Sequence, residues 1–186
     1  MNDIKTKRAL DRALISLGSG DADSLEAVYE LSARRLYSVC YLITGNREDA
    51  EDALHNAMLR ICRYAPDYKS QNGAWAYLFT IARHAALDIV DRRKKFAPVE
   101  NTDLCGLSSH AHETNPEAEA ISQAAAAAML GRLSDEERQT VALRLYADLT
   151  NSETAKVTGV SPACAQKRYR RALKKLKRIY MSDIGQ

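Results

Sequence analysis

The chain has 186 residues, 46% of them hydrophobic and 27% charged, with a net charge of +3. That balance excludes wholesale disorder, and no apolar run approaches the ~18–20 residues of a membrane span, so no membrane insertion is expected. Eight Gly and four Pro are too few for a many-turned all-β fold, and four isolated cysteines (Cys40, Cys62, Cys105, Cys164) suit a reducing cytoplasm.

Ile4, Leu10, Leu14 and Leu17 predict a first helix over 3–17, ended by Gly18-Ser19-Gly20. The stretch is amphipathic with scattered charges, unlike a secretory leader. A second helix is expected over 24–44 with Ser24 as N-cap. Gly45 closes it, and Asn46 caps a third helix over 47–64, with Asp49 at the position that answers free amides. Ala50, Ala53, Leu54, Ala57, Met58 and Ile61 recur at three and four and share one face of that helix. Ala65-Pro66-Asp67 breaks it. A polar loop, 68–73, leads into a long helix over 74–95, whose buried stripe is Trp75, Leu78, Phe79, Ala82, Ala85 and Ile89.

Residues 96–117 contain Pro98, Gly106 and Pro116, four acids and no Lys or Arg, which marks a linker. Beyond it, a helix runs through the Ala-rich stretch 118–130. Ser134 with Glu137 forms a capping box for a helix over 135–148, and Thr150 with Glu153 forms another for a short helix through Lys156. Gly159 turns the chain and Val160 tucks inward. Ser161 caps the last helix with Pro162 at its first position, and Ala165, Tyr169, Ala172, Leu173 and Leu176 form its buried face. No strand signal appears. The expected fold is all-α: a helical domain over 1–95, a flexible acidic linker over 96–117, and a helical domain over 118–186.

Charge is unevenly placed. Segment 21–54 carries −5 and 55–95 carries +5, while 156–180 holds nine positive charges and no acid. A solvated helix face explains the 55–95 excess as well as a ligand does, but a block of nine cations points to a polyanion. Residues 150–178 read as a helix-turn-helix, with the small Ala155 where the helices cross. On the second helix Ala163, Cys164 and Gln166 suit base edges, while Lys167, Arg168, Arg170, Arg171, Lys174 and Lys175 suit phosphates. In the other basic region, Tyr68, Ser70, Gln71, Asn72, Trp75, Arg83 and His84 combine aromatic, amide and cationic groups, which an unstacked base requires. Trp75 at helical spacing is also what a core residue looks like.

These residues resemble a known family. Asp49 through Leu54 with Leu59-Arg60 resembles the polymerase-binding helix of group IV (extracytoplasmic function, ECF) sigma factors of the sigma-70 family. Ala74 through His84, then Ala86-Leu87-Asp88 and Arg92-Arg93-Lys94-Lys95, resembles their promoter-melting segment. Leu133-Ser134, Glu137-Arg138, Leu143-Arg144-Leu145, Ser161 through Arg168 and Arg171-Ala172-Leu173 resemble their C-terminal domain. The resemblance covers about 22–95 and 118–178, in order.

It implies a protein without catalysis or cofactor whose partners are core RNA polymerase, at its clamp and flap regions, and promoter DNA. Asp49, Asp52, His55, Asn56 and Arg60 would meet the clamp. The 66–73 loop and the start of the next helix would capture single-stranded bases of the minus-ten element. The last helix would read the minus-thirty-five element as duplex, and the acidic linker would thread the polymerase's basic interior. Many relatives are held inactive by an anti-sigma factor that covers both domains, so the resemblance extends to such a partner. The chain departs from the pattern at His55-Asn56, where Gln-Glu is usual, at Met58 and Cys62, where a bulky aromatic is usual, and at Cys164 and Gln166, where Thr and Lys are usual.

Two other classes stay open on the residues alone. One is a sigma-mimicking interaction module, which His55-Asn56 keeps in view. The other is a helix-turn-helix regulator that does not initiate transcription, which leaves 22–95 without a task. His55 and His84 have carboxylates nearby in sequence but no nucleophile or second base at matching spacing, so an enzyme finds little support. Cys105, His110 and His112 have spacing near the zinc repertoire but no fourth ligand, so no metal is expected.

Overall fold

A computed structural model describes residues 2–70, 73–96 and 129–184. The described residues form α1 (Asn2–Gly18), α2 (Ser24–Thr44), α3 (Arg47–Tyr64), a 3₁₀ turn (Ala65–Asp67), α4 (Ala74–Phe96), α5 (Asp135–Leu145), α6 (Asn151–Thr158) and α7 (Pro162–Ile184), with no strand among them. Phe96, expected to open the linker, is the last residue of α4; the rest of the segment expected as linker, 97–117, with Cys105, His110 and His112, and most of the Ala-rich stretch lie outside the described residues.

The helices start and stop for local reasons. Gly45 takes the left-handed conformation (φ 79°) and ends α2. Asn46 then caps α3: its Oδ1 accepts from the Asp49 amide at 2.8 Å, and its side-chain amide donates to Asp49 Oδ2 at 2.7 Å. Both capping boxes form, at Ser134 with Glu137 and at Thr150 with Glu153.

Three expectations are corrected. Ser24 is the first residue of α2, not its cap: its hydroxyl donates to Asp21 Oδ2 at 2.6 Å, and turn-type backbone bonds satisfy the first amides. α5 ends at Leu145 rather than 148, because Asp148 adopts φ 53° and turns the chain so that Ala147 and Leu149 are buried. Leu173, expected in the core, is 39% exposed, whereas Ala165 and Ala172 are buried and Tyr169 and Leu176 pack partly buried against the core.

Helices α2, α3 and α4 pack on one another, with α1 laid across α2 and against the 3₁₀ turn. The packing of α1 is close: a side chain at Gly18 would collide with the Ala65 carbonyl. Helices α5, α6 and α7 form a second group, which rests on the first through α5 on α2 and α6 on α4. The buried residues of both groups make one continuous apolar core. Cys40 lies in it, and burial pushes its thiol pKa up to about 12, which leaves it an inert space-filler.

Candidate nucleic-acid interface

The Ser161 hydroxyl accepts the Cys164 amide at 3.2 Å and starts α7 at the sharp turn made by Gly159 (φ 71°). With Ala165 and Ala172 facing inward, the helix turns Ala163, Cys164, Gln166, Lys167, Arg170, Arg171 and Lys174 to solvent. The small and polar residues occupy the N-terminal end and the cations follow, the order suited to a helix entering a major groove. Two cations on this helix are engaged. Arg168 pairs with Glu136 at 2.8 Å, and Lys175 reaches Glu137 at 2.7 Å. Burial alone would push the Glu137 carboxyl up; Lys175 and the Ser134 amide and hydroxyl outweigh it and hold the group below the usual glutamate range.

The second basic region is more enclosed than its composition suggests. Trp75 is 2% exposed, stacked on Phe79 (5.6 Å) beneath the Arg35 guanidinium (4.8 Å). It is a core residue, so the surface stacking platform expected there is absent in this conformation. Tyr68 is nearly buried; its ring packs on Tyr77 at 4.8 Å and its hydroxyl donates to Asp11 of α1. Ser70 is exposed and donates to the other oxygen of Asp11 at 2.6 Å. Gln71 and Asn72 lie outside the described residues. Gly73 (φ 78°) closes the loop, its amide donating to the Ser70 carbonyl at 3.0 Å. His84 is exposed.

On α3, Asp52 and His55 are exposed and Asn56 is half-buried, all on the side away from Ala50, Ala53 and Ala57. Asp49 and Arg60 share that helix but are already committed. Asp49 caps α3 with Asn46 and also pairs with Arg93 at 3.0 Å, and Arg60 pairs with Asp88 at 2.6 Å.

The structure joins two sets of residues that the sequence assigned to different DNA elements. Arg83 Nε donates to Gln139 Oε1 of α5 at 2.9 Å, across the seam between the helix groups. Burial, and then the like charge of Arg168, both favour the neutral form of Arg83, so two candidate DNA-binding cations face each other there. Beside this seam a cleft of about 330 Å³ is lined by Tyr64, Ala76, Tyr77, Thr80, Ile81 and Lys156. Asp11 and Gln139 are residues that sequence reasoning missed. Each lies more than fifty residues along the chain from its partner, and no local spacing announces such a pair.

The elements and this site define an all-helical protein that presents a helix-turn-helix and a second basic region. Comparison with known proteins places it further. Residues 28–96 match the family model for Sigma-70 region 2, and residues 123–176 match that for Sigma-70, region 4. The ECF RNA polymerase sigma factor BldN of Streptomyces coelicolor is 28% identical over 171 residues, which is 89% of this chain and 63% of BldN. The chain therefore spans somewhat less than two thirds of BldN's length. The ECF RNA polymerase sigma factor SigM of Mycobacterium tuberculosis is 26% identical over 87% of this chain and 79% of its own. Among solved structures, CnrH in complex with the cytosolic domain of CnrY shares the fold with a TM-score of 0.72 at 19% identity, over 94% of this chain and 99% of that one. The sigma factor RpoE in complex with the anti-sigma factor NepR from Bartonella quintana gives a TM-score of 0.66 at 15% identity, over 85% and 98%. The chain belongs to the sigma-70 family, within its extracytoplasmic-function group.

Proposed function

We propose that this chain binds core RNA polymerase and directs promoter-specific initiation of transcription. The observation that carries the reading is α7: a capped helix whose small and polar N-terminal residues and following cations share one exposed face, in a chain that matches region 2 and region 4 in the family's order. The helix group of α1–α4 is the region 2 domain, residues 129–184 belong to the region 4 domain, and the acidic 96–117 segment between them enters a cationic channel of the polymerase. Asp52, His55 and Asn56 meet the clamp, with Asp49 and Arg60 holding that face in shape. The region 4 domain meets the flap and reads the minus-thirty-five element through Ser161, Ala163, Cys164, Gln166, Lys167, Arg168, Arg170, Arg171 and Lys174. The 66–73 loop, with Arg83 and His84, takes the single strand of the minus-ten element, and Trp75 supports it from beneath.

The protein acts in the cytoplasm, where the polymerase is; among the described residues no helix is long and apolar enough to cross a membrane. The two solved neighbours are bound to partner proteins, one of them named an anti-sigma factor, and a partner of that kind suits this chain too. The test is transcription in vitro by core polymerase on a promoter library, with and without the protein. Protein-dependent transcripts from a defined subset of promoters are expected. Duplex binding without any transcript would instead favour a helix-turn-helix regulator. In the same assay the triple variant Ser70→Ala, Gln71→Ala, Asn72→Ala is expected to bind promoter duplex but fail to open it, read by permanganate reactivity of thymines near the start site.

A further inference from the structure

The loop assigned to single-strand capture is held by a residue outside the segment that matches region 2. That segment begins at residue 28, whereas Asp11 lies in α1. One carboxylate accepts from two loop hydroxyls, Tyr68 Oη on one oxygen and Ser70 Oγ on the other at 2.6 Å. Its position is fixed from below. Leu10 and Leu14, on either side of it, are fully buried, and the glycine at the end of α1 leaves no room to slide past Ala65. Tyr68 in turn packs its ring at a tilt against Tyr77 in the first turn of α4. Burial, then the Asp11 bond and charge, drive the Tyr68 phenol well above its usual range, so it stays a donor to Asp11 at every physiological pH. Tyr68 and Ser70 are thus pinned to α1, and the Gly73 amide donates to the Ser70 carbonyl at 3.0 Å.

We propose that Asp11 is a positioning residue for promoter opening: it holds Tyr68 and Ser70 in the arrangement that receives an unstacked base, which makes α1 part of the minus-ten apparatus. The inference rests on the reading of the 66–73 loop given above. A base leaving the duplex must gain contacts at once to offset its unstacking, and side chains held in place beforehand, as Tyr68 and Ser70 are, spend none of that gain on their own ordering. Ionised carboxylate is the right group for the task, because it only accepts and can take two hydroxyl donors together.

Asp11→Asn tests this. The asparagine keeps the shape and one acceptor oxygen but loses the other, so the helix should still dock. With core polymerase and a promoter recovered from the library, Asp11→Asn is expected to slow opening about tenfold or more, the size expected when hydrogen bonds to a charged group are lost. Binding of core polymerase and of minus-thirty-five duplex should be unchanged. In a Tyr68→Phe, Ser70→Ala background, Asp11→Asn should have no further effect, because its partners are already gone. Wild-type opening by Asp11→Asn beside a defective loop triple variant would overturn the proposal and leave the loop reading intact. Normal opening by the triple variant would overturn the loop reading, and this proposal with it. Loss that is additive in the Tyr68→Phe, Ser70→Ala background, or loss that tracks a fall in Tm and in core binding, would also overturn it, by showing that Asp11 acts elsewhere or only on stability.

Discussion

At the scale of single residues, the polar groups that matter are those whose partners come from a distant helix. Glu137 is 3% exposed and serves twice, closing the cap of α5 and receiving Lys175 from α7. Its lowered pKa fixes the sign of a pH effect. The unfolded chain binds this proton more readily than the folded one, so the stabilisation is complete above the ordinary glutamate pKa and is lost as pH falls through the lowered native value. Thermal melts from neutral pH into this acid range should show wild-type stability falling more steeply than that of Glu137→Gln. Equal slopes would mean that Lys175 does not hold the carboxylate in solution. Asp49 and Asp52, three apart on α3, separate in the same way. Asp49→Ala keeps the backbone amide that Asn46 caps but removes the bond from the Asn46 side-chain amide and the pair with Arg93, so it should cost roughly 1 kcal/mol and lower Tm. Asp52 is exposed, so Asp52→Arg should leave Tm alone and weaken co-purification with core polymerase by reversing a charge.

At the scale of elements, α7 divides its cations between two uses. Lys167, Arg170, Arg171 and Lys174 are exposed and available to phosphates, while Arg168 is held by Glu136. Duplex affinity should therefore fall steeply with salt, by about 0.9 in log affinity per log unit of salt for each phosphate contact. Glu136→Ala frees Arg168 and removes a repelling carboxylate beside the helix. It should raise duplex affinity at low salt and steepen the salt slope, by about one contact's worth. Filter binding across a salt series reads both. An unchanged slope would assign Arg168 to the protein scaffold rather than to DNA.

At the scale of the whole molecule, the two helix groups share a core, and the seam sets Arg83 opposite Gln139 with Arg168 nearby. In this closed arrangement the candidate minus-ten and minus-thirty-five residues lie in one body, and part of the minus-ten set faces protein instead of solvent. Arg83 meets only an uncharged amide across the seam, while Arg168 is already paired with Glu136. Gln139→Glu would answer Arg83 with a carboxylate and should tighten the closed form. Fluorophores on α3 and near the end of α7 should then report a larger closed population. Transcription should drop several-fold at low salt and recover as salt screens the new attraction. No change in either signal would show that the seam does not govern access to DNA.

Much of the architecture was legible along the chain because helix ends are decided locally. Gly45, Asn46, Thr150 with Glu153, and Ser161 each satisfy backbone groups within four residues, and each acts where the sequence places it. The exposed face of α7 was legible for the same reason, since a period of 3.6 and a cap fix which side chains point outward. The early end of α5 was not, because burying Ala147 and Leu149 depends on the helices beyond them. Nor was the state of Trp75, for a large aromatic at helical spacing fits a core and a stacking surface equally well, and only Arg35 and Phe79 packed on either side settle it. The sequence by itself determined the helices, most of their caps and where the positive charge lies, because these follow from contacts within a turn or two. Tertiary structure alone decided which charges are free, that Asp11 grips the loop 57 and 59 residues away, and that the two DNA-facing sets meet at one seam, because these are contacts between helices far apart in the chain.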